Sequence, residues 1–203
     1  MSPTNASPAA RPTFGEPTPL GLLGLAVGCA ALVPIAFGWV PKDPAAASSM
    51  FETAAWMCLL FDAGGQLLAG LMALANKNTL GGTLFTTFAF NWVMNYWALD
   101  RLAHGKLPDA SVVLSADIAF LVVFVVLTFA FALVSKVLFV FMLDIDALYA
   151  LRVAHVHGPA IGVATVLLAA IALYVALAML VNDAAGRALL PLGGPLELTL
   201  PVR

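Results

Sequence analysis

The residues from Ser111 to Leu133, SVVLSADIAFLVVFVVLTFAFAL, decide the fold class of this chain. The stretch holds one charged side chain, Asp117, and its apolar residues cover every face of a helix instead of alternating as in a strand of a membrane barrel. An α-helix rises about 1.5 Å per residue, so about 20 apolar residues cross the roughly 30 Å of hydrocarbon in a bilayer. The stretch therefore predicts a transmembrane α-helix.

Five further stretches predict the same structure, because lipid accepts only backbones whose hydrogen bonds are made internally. The predicted fold class is an all-α integral membrane protein with a bundle of six transmembrane helices. The predicted spans are Pro19–Trp39, Met50–Ala75, Thr79–Leu99, Ser111–Leu133, Ser135–Leu151 and Val156–Val181. The predicted domain organisation is a flexible Pro-rich N-terminal tail (1–18), a six-helix membrane domain (19–185) and a C-terminal tail (186–203).

The composition leads to the same class. The chain has 203 residues, of which 62% are hydrophobic and 10% charged. Soluble domains are about 45–50% apolar and about 25% charged. The formal net charge of −2 gives no reason to expect a nucleic acid partner. Cys29 and Cys58 both lie in apolar runs, so we expect two small buried thiols and no disulfide.

Two stripes of polar residues lie in the second and third predicted spans, each with a four-residue spacing that places its members on one helix face. The short turn between these spans makes them antiparallel neighbours, and counting outward from Lys77 brings Asp62 level with Asn91. We therefore predict that Asp62 and Asn91 are in contact. Such stripes can hydrogen-bond two helices together or line a polar route, and the sequence leaves both open. The stripes are Cys58, Asp62, Gln66 and Gly70, and Thr79, Thr83, Thr87, Asn91 and Asn95.

A second group of polar residues contains types that bind metals. Asp144 and Asp146 precede His155 and His157, but residues two apart on a helix point in different directions. The favoured interpretation is a cluster near a loop, partly neutralised by Arg152. Asp117 is expected to extend towards the membrane interface. We expect no catalytic residue, cofactor or metal.

Four blocks of the sequence resemble one known family. The blocks are Glu16–Leu22 (EPTPLGL), Gln66–Gly70 (QLLAG), Lys77–Thr86 (KNTLGGTLFT), and Asn182 followed by Gly186–Gly193 (GRALLPLG). In this order they are similar to the blocks of the acetate uptake transporter family, which includes the succinate–acetate permeases. The resemblance covers roughly residues 16–193, although the fourth and fifth spans match only in hydrophobicity.

The resemblance implies a multi-pass protein of the cell membrane, with the bacterial inner membrane as the expected location. It also implies that the chain is one protomer of a cyclic homohexamer. It also implies a transporter or channel for small carboxylates, namely acetate, with succinate as a further candidate. The solute path would run inside each protomer, and lipid would surround the protein. The N-terminus of the first helix would bind the carboxylate, and Leu25 and Phe88 would narrow the path. The implied substrate-binding and pore residues are Glu16, Pro19, Leu20, Gly21, Leu25, Asp62, Gln66, Thr83, Thr87, Phe88 and Asn91.

The chain departs from the family pattern at several of these positions. Glu16 stands where the family has asparagine, so a good helix cap is expected to be lost and an acid placed beside the supposed carboxylate site. Asp62 replaces a glycine and Asn91 an aromatic residue. Three alternatives therefore stay open: a channel for a neutral solute or proton, a metal-dependent membrane enzyme using Asp144, Asp146, His155 and His157, and an assembly or sensor subunit that does not transport.

Overall fold

The computed structural model describes residues 13–197, and their regular structure is entirely helical. The helices are α1 (Thr18–Ala36), α2 (Pro44–Met57), α3 (Gly64–Ala75), α4 (Thr79–Ala103), α5 (Ala110–Ala132), α6 (Lys136–Val153) and α7 (Pro159–Ala185). A π-helical turn, Cys58–Ala63, joins α2 to α3, and Pro44–Ala75 is one continuous helix of 32 residues. The all-α class predicted from the sequence is confirmed.

Within residues 13–197, four helices are long and apolar enough to cross a membrane: Thr18–Ala36, Pro44–Ala75, Ala110–Ala132 and Pro159–Ala185. The helices α4 and α6 are more polar. The polar stripe with Asn91 and Asn95 runs along α4, and α6 carries Asp144, Asp146 and Arg152. The chain is a multi-pass membrane protein, and the number of six crossings stays a prediction.

Capping residues explain where the observed helices depart from the predicted spans. The second span was expected to begin at Met50, but α2 begins at Pro44 because the Asp43 carboxylate accepts a hydrogen bond from the Ala46 N–H at 2.8 Å. At the poorly marked boundary near Val134, the Ser135 hydroxyl accepts from the Leu138 N–H at 3.4 Å. This cap starts α6 at Lys136, so three residues separate it from the end of α5 at Ala132.

The helix α1 packs against α3, α7 and the π-helical turn. Its close approach depends on glycine, because a Cβ added at Gly24 would lie within van der Waals overlap of the Phe61 carbonyl oxygen. The helix pairs α3–α4 and α5–α6 pack as two hairpins in the bundle. Glycine at this position thus allows the two helix backbones to approach closely.

The residues after α7 return to the bundle. The Leu196 N–H donates to the Ala132 carbonyl at 2.8 Å, and the Lys136 N–H donates to the Gly194 carbonyl at 3.0 Å. The Ser135 hydroxyl donates to the Leu192 carbonyl at 2.6 Å. The described part of the predicted C-terminal tail therefore packs on the turn between α5 and α6.

Candidate functional site

The described residues of the bundle enclose a large and a small cavity. The large cavity has a volume of about 540 Å³ and the small cavity about 370 Å³. The lining of the large cavity includes Cys29, Phe88, Asn91, Asn95, Asp117, Ile145, Tyr149, Arg152, His155, His157 and Leu168. The lining of the small cavity includes Glu16, Thr18, Leu22, Phe85, Phe131, Ser135, Phe141, Val175, Met179 and Leu192.

The two cavities lie in line along the helix axes. Five helices (α1, α4, α5, α6 and α7) line both cavities, and on each helix the two sets of lining residues lie towards opposite ends. On α4 the small cavity ends at Phe85 and the large cavity begins at Phe88. On α7 the change falls between Leu168 and Val175. A solute entering one end of the bundle would therefore meet both cavities in succession.

A tightly packed apolar layer separates the cavities. Leu25, Met142 and Ala172 lie between the lining residues on α1, α6 and α7, and each of them is 0% exposed. The Phe88 ring stacks on Phe124 with 4.5 Å between the ring centroids. Of the two residues predicted to narrow the path, Leu25 thus lies within this layer and Phe88 at its edge.

The wall of the large cavity carries a chain of hydrogen bonds between α4 and α6. The Asn91 Nδ2 donates to the Tyr149 hydroxyl oxygen, and the Asn95 Nδ2 donates to the Asn91 Oδ1 at 3.1 Å. Asn91 and Tyr149 are buried at 5% and 3% exposure. Asn91, predicted from the sequence as a pore residue, therefore does line a cavity, with Tyr149 as its partner.

An ion pair lies in the same wall. The Arg152 Nε and Nη2 atoms donate to the two carboxylate oxygens of Asp117 at 3.1 and 2.8 Å, and the guanidinium carbon is 5.2 Å from the centre of the Tyr149 ring. Asp117 does not extend to the interface as expected; it is 7% exposed because α6 places Arg152 opposite it. Likewise, Arg152 pairs with Asp117 on α5 and not with the acids of its own helix.

The predicted carboxylate site at the N-terminus of α1 is occupied by the protein's own acid. The Glu16 Oε1 accepts hydrogen bonds from the Thr18 N–H at 3.0 Å and from the Thr18 hydroxyl. Glu16 thereby binds the first free N–H of the helix, but the N-cap residue Pro17 makes no side-chain capping bond, in line with the expected loss of a good cap. Glu16 is exposed and lines the mouth of the small cavity.

Asp62 and Gln66 lie outside both cavities. They are 0% and 1% exposed, and neither carboxylate oxygen of Asp62 has a hydrogen-bond partner among the described residues. Asn91 bonds to Tyr149 and Asn95, so the expected hydrogen-bonded contact of Asp62 with Asn91 is not made. The helices α3 and α4 do pack together as predicted, but no hydrogen bond joins the two polar stripes among the described residues.

The remaining predicted site residues have other surroundings. Pro19 is buried in the first turn of α1, and Leu20 is 43% exposed. A Cβ added at Gly21 would lie 2.6 Å from the Phe85 ring, so this glycine serves helix packing. Thr83 is exposed and Thr87 half-buried. None of these five lines either cavity.

The residues of the metal hypothesis do not assemble. No group of three His, Cys, Asp or Glu side chains within residues 13–197 is arranged to hold a metal ion. The Asp146 Oδ2 instead accepts a hydrogen bond from the Thr128 hydroxyl at 2.7 Å. His155 and His157 line the large cavity near its mouth. Cys29 and Cys58 are buried free thiols, as predicted.

Sequence reasoning missed Tyr149 and the Asp117–Arg152 pair. Tyr149 stands in an apolar run without any local signal. The ion pair did leave a signal, because Asp117 and Arg152 lie at nearly equal chain distances from the α5–α6 turn at Val134. The depth matching applied to the α3–α4 hairpin would have brought these two residues together.

These features define a class: a multi-pass α-helical membrane protein with two cavities in line and an apolar layer between them. No family model matches the sequence, and no curated protein matches it. Among solved structures, the bacterial acetate channel SatP is similar, with a TM-score of 0.75 and 24% identity, over 89% of this chain and 100% of that one. The chain therefore has the fold of that channel, which is the fold implied by the four sequence blocks.

Proposed function

We propose that the chain forms a transmembrane path for small carboxylates such as acetate, through the interior of each protomer. The observation that carries this proposal is the pair of cavities in line, separated by the layer around Leu25, Met142 and Ala172. The similarity in fold to an acetate channel supports the choice of solute. No bond has to be broken for this function, so no catalytic residue is required.

Three finer statements belong to the proposal. All six helical rods cross the membrane, the protomers form a cyclic homohexamer, and the location is the bacterial inner membrane. The exposed apolar side chains on α3, α5 and α7, among them Leu68, Val126 and Val163, support burial of these faces in lipid or against other protomers. Succinate as a second solute is part of the same proposal.

The test is uptake of radiolabelled acetate into proteoliposomes, with and without an inward proton gradient. Empty liposomes are measured in parallel, because protonated acetic acid crosses lipid unaided. Saturable, protein-dependent uptake is the expected result, and its response to the gradient distinguishes coupled transport from a channel. Uptake no faster than in empty liposomes would refute the carboxylate proposal.

A neutral solute is the second candidate, and one observation favours it. Glu16 places a carboxylate at the mouth of the small cavity, where it repels an incoming anion. Swelling of proteoliposomes in glycerol or urea, faster than that of empty liposomes and without acetate uptake, would favour this alternative.

A further inference from the structure

One permanently charged cation, Arg152, lines the large cavity, and only some of its N–H donors are engaged in hydrogen bonds. Arg152 is the one lysine or arginine among the described residues that line this cavity, and its side chain is 31% exposed. A guanidinium has five N–H donors, and Asp117 engages one on Nε and one on Nη2. The other three have no acceptor among residues 13–197 in the structure, so they are available to a solute.

A second donor lies beside the first. The Tyr149 hydroxyl accepts from Asn91, and its own hydrogen has no acceptor among the described residues. The ring of Tyr149 packs under the guanidinium of Arg152, three residues further along the same face of α6. A free hydroxyl proton and three free N–H groups on one wall are complementary to a carboxylate.

From this arrangement we propose that Arg152 and Tyr149 bind the solute carboxylate in the large cavity, and that Asp117 is a positioning residue that holds Arg152 there and weakens its hold on the anion. The inference rests on the proposed carboxylate path and names its binding site. Asp117 is 7% exposed and neutralises most of the field of the guanidinium. An anion is therefore attracted by donors without being trapped, as a path with rapid release requires.

The charge balance also selects the substrate class. A dicarboxylate needs a second permanent cation, and among the described residues of this cavity no lysine or second arginine accompanies Arg152. The rest of the lining is mainly aliphatic and aromatic, for example Leu168 and Phe88, and the volume of about 540 Å³ has room for a short alkyl chain. The site thus favours monocarboxylates such as acetate and propionate over succinate.

The experiment measures acetate binding to the purified full chain by calorimetry and acetate uptake by proteoliposomes in parallel. Asp117→Asn keeps the side-chain volume and removes the competing charge, so the Kd and KM for acetate should fall by about tenfold, while kcat falls because release slows. A purely structural role for Asp117 would not produce this opposite movement of affinity and turnover. Succinate should compete with acetate at least about tenfold less well than propionate does.

Removing the arginine is tested without leaving a buried charge. Arg152→Gln alone leaves the buried Asp117 carboxylate without its ion-pair partner. The double variant Asp117→Asn with Arg152→Gln is therefore measured beside it. Both should lose saturable acetate binding, and Tyr149→Phe should raise the Kd by several-fold. Acetate binding by the folded double variant with the wild-type Kd would overturn the inference.

The two proposals fail in different ways. If the wild-type protein carries acetate and none of the three positions alters its KM, the site is wrong and the carboxylate path stands. If the wild-type protein neither binds nor carries acetate, both proposals are wrong. Binding that is lost in the double variant supports the site even where the measured flux is slow.

Discussion

The carboxylate of Asp62 occupies the space in which Gly28 would carry a side chain. A Cβ built at Gly28 would overlap both oxygens and the carboxyl carbon of Asp62. The acid projects from the π-helical turn Cys58–Ala63, and the turn packs directly on α1. With Asp62 on the turn, position 28 of α1 therefore has room only for glycine.

Gly28→Ala should prevent normal folding or lower the thermal midpoint strongly, since the added methyl cannot be accommodated without moving α1. Gly64→Ala is the matched control, because a Cβ there meets only the Leu59 carbonyl oxygen at 3.6 Å and alanine favours helix. Thermal unfolding in detergent compares the two variants. Adding Asp62→Ala to Gly28→Ala should restore much of the loss, and no recovery would show that Asp62 is not the obstacle.

Asp62→Asn should keep the fold and leave acetate flux within about twofold of the wild type. The two oxygens of Asp62 have no partner among the described residues, so the substitution breaks no hydrogen bond, and the residue lines neither cavity. Uptake into proteoliposomes and thermal unfolding check both parts. A large loss of flux with an unchanged thermal midpoint would mean that Asp62 is a residue of the solute path, as expected from the sequence.

The sequence predicted the helices well because burial in lipid leaves long apolar runs and little else. It also identified the short connections that make α3 and α4 antiparallel. It did not predict which faces meet, since a four-residue spacing defines a stripe on its own helix and not the rotation of the neighbouring helix. Asp62 and Asn91 illustrate this, because they match in depth and yet belong to different surroundings.

The candidate site was predicted in part. Leu25 lies in the apolar layer, Phe88 at the edge of that layer, and Asn91 in the wall of the large cavity. In contrast, Gly21 and Gln66 lie outside both cavities. Motif resemblance concentrates on the first three spans, and the large cavity takes its charged wall from α5 and α6. These helices match the family only in hydrophobicity, so resemblance could not indicate Asp117, Tyr149 or Arg152.

Asp109 should make the start of α5 sensitive to acid. Hydrogen bonds from the Ser111 hydroxyl and the Val112 N–H lower the pKa of this exposed carboxyl below its ordinary value. A lowered pKa in the folded state contributes stability above the pKa of the unfolded chain, and this stability disappears as the pH falls through the folded value. The wild-type protein should thus exceed Asp109→Ala in thermal midpoint at neutral pH and lose that advantage in acid.

Asp109→Asn provides the control for this effect. Asparagine caps helices about as well as aspartate but does not titrate in this range. The variant should keep much of the wild-type midpoint at neutral pH and show a smaller decrease on acidification. Equal acid sensitivity in all three proteins would mean that another group is responsible.

Leu25→Ala should increase the flux of acetate and admit longer monocarboxylates. Leu25 is 0% exposed and lies between the two cavities on α1, so its truncation opens the layer that separates them. The loss of buried side-chain volume should also lower the free energy of unfolding by about 2–5 kcal/mol. Uptake of acetate and butyrate into proteoliposomes and thermal unfolding measure the two effects.

Leu22→Ala is the matched control for this prediction. Leu22 lies one helical turn away on α1 and is as deeply buried at 1% exposure, but it lines the small cavity and not the layer. Its truncation should cost a similar free energy of unfolding and change the flux little, because it widens a space that is already open. If both variants raised the flux equally, the barrier would not be the layer around Leu25, and the narrowest part of the path would have to lie nearer the small cavity.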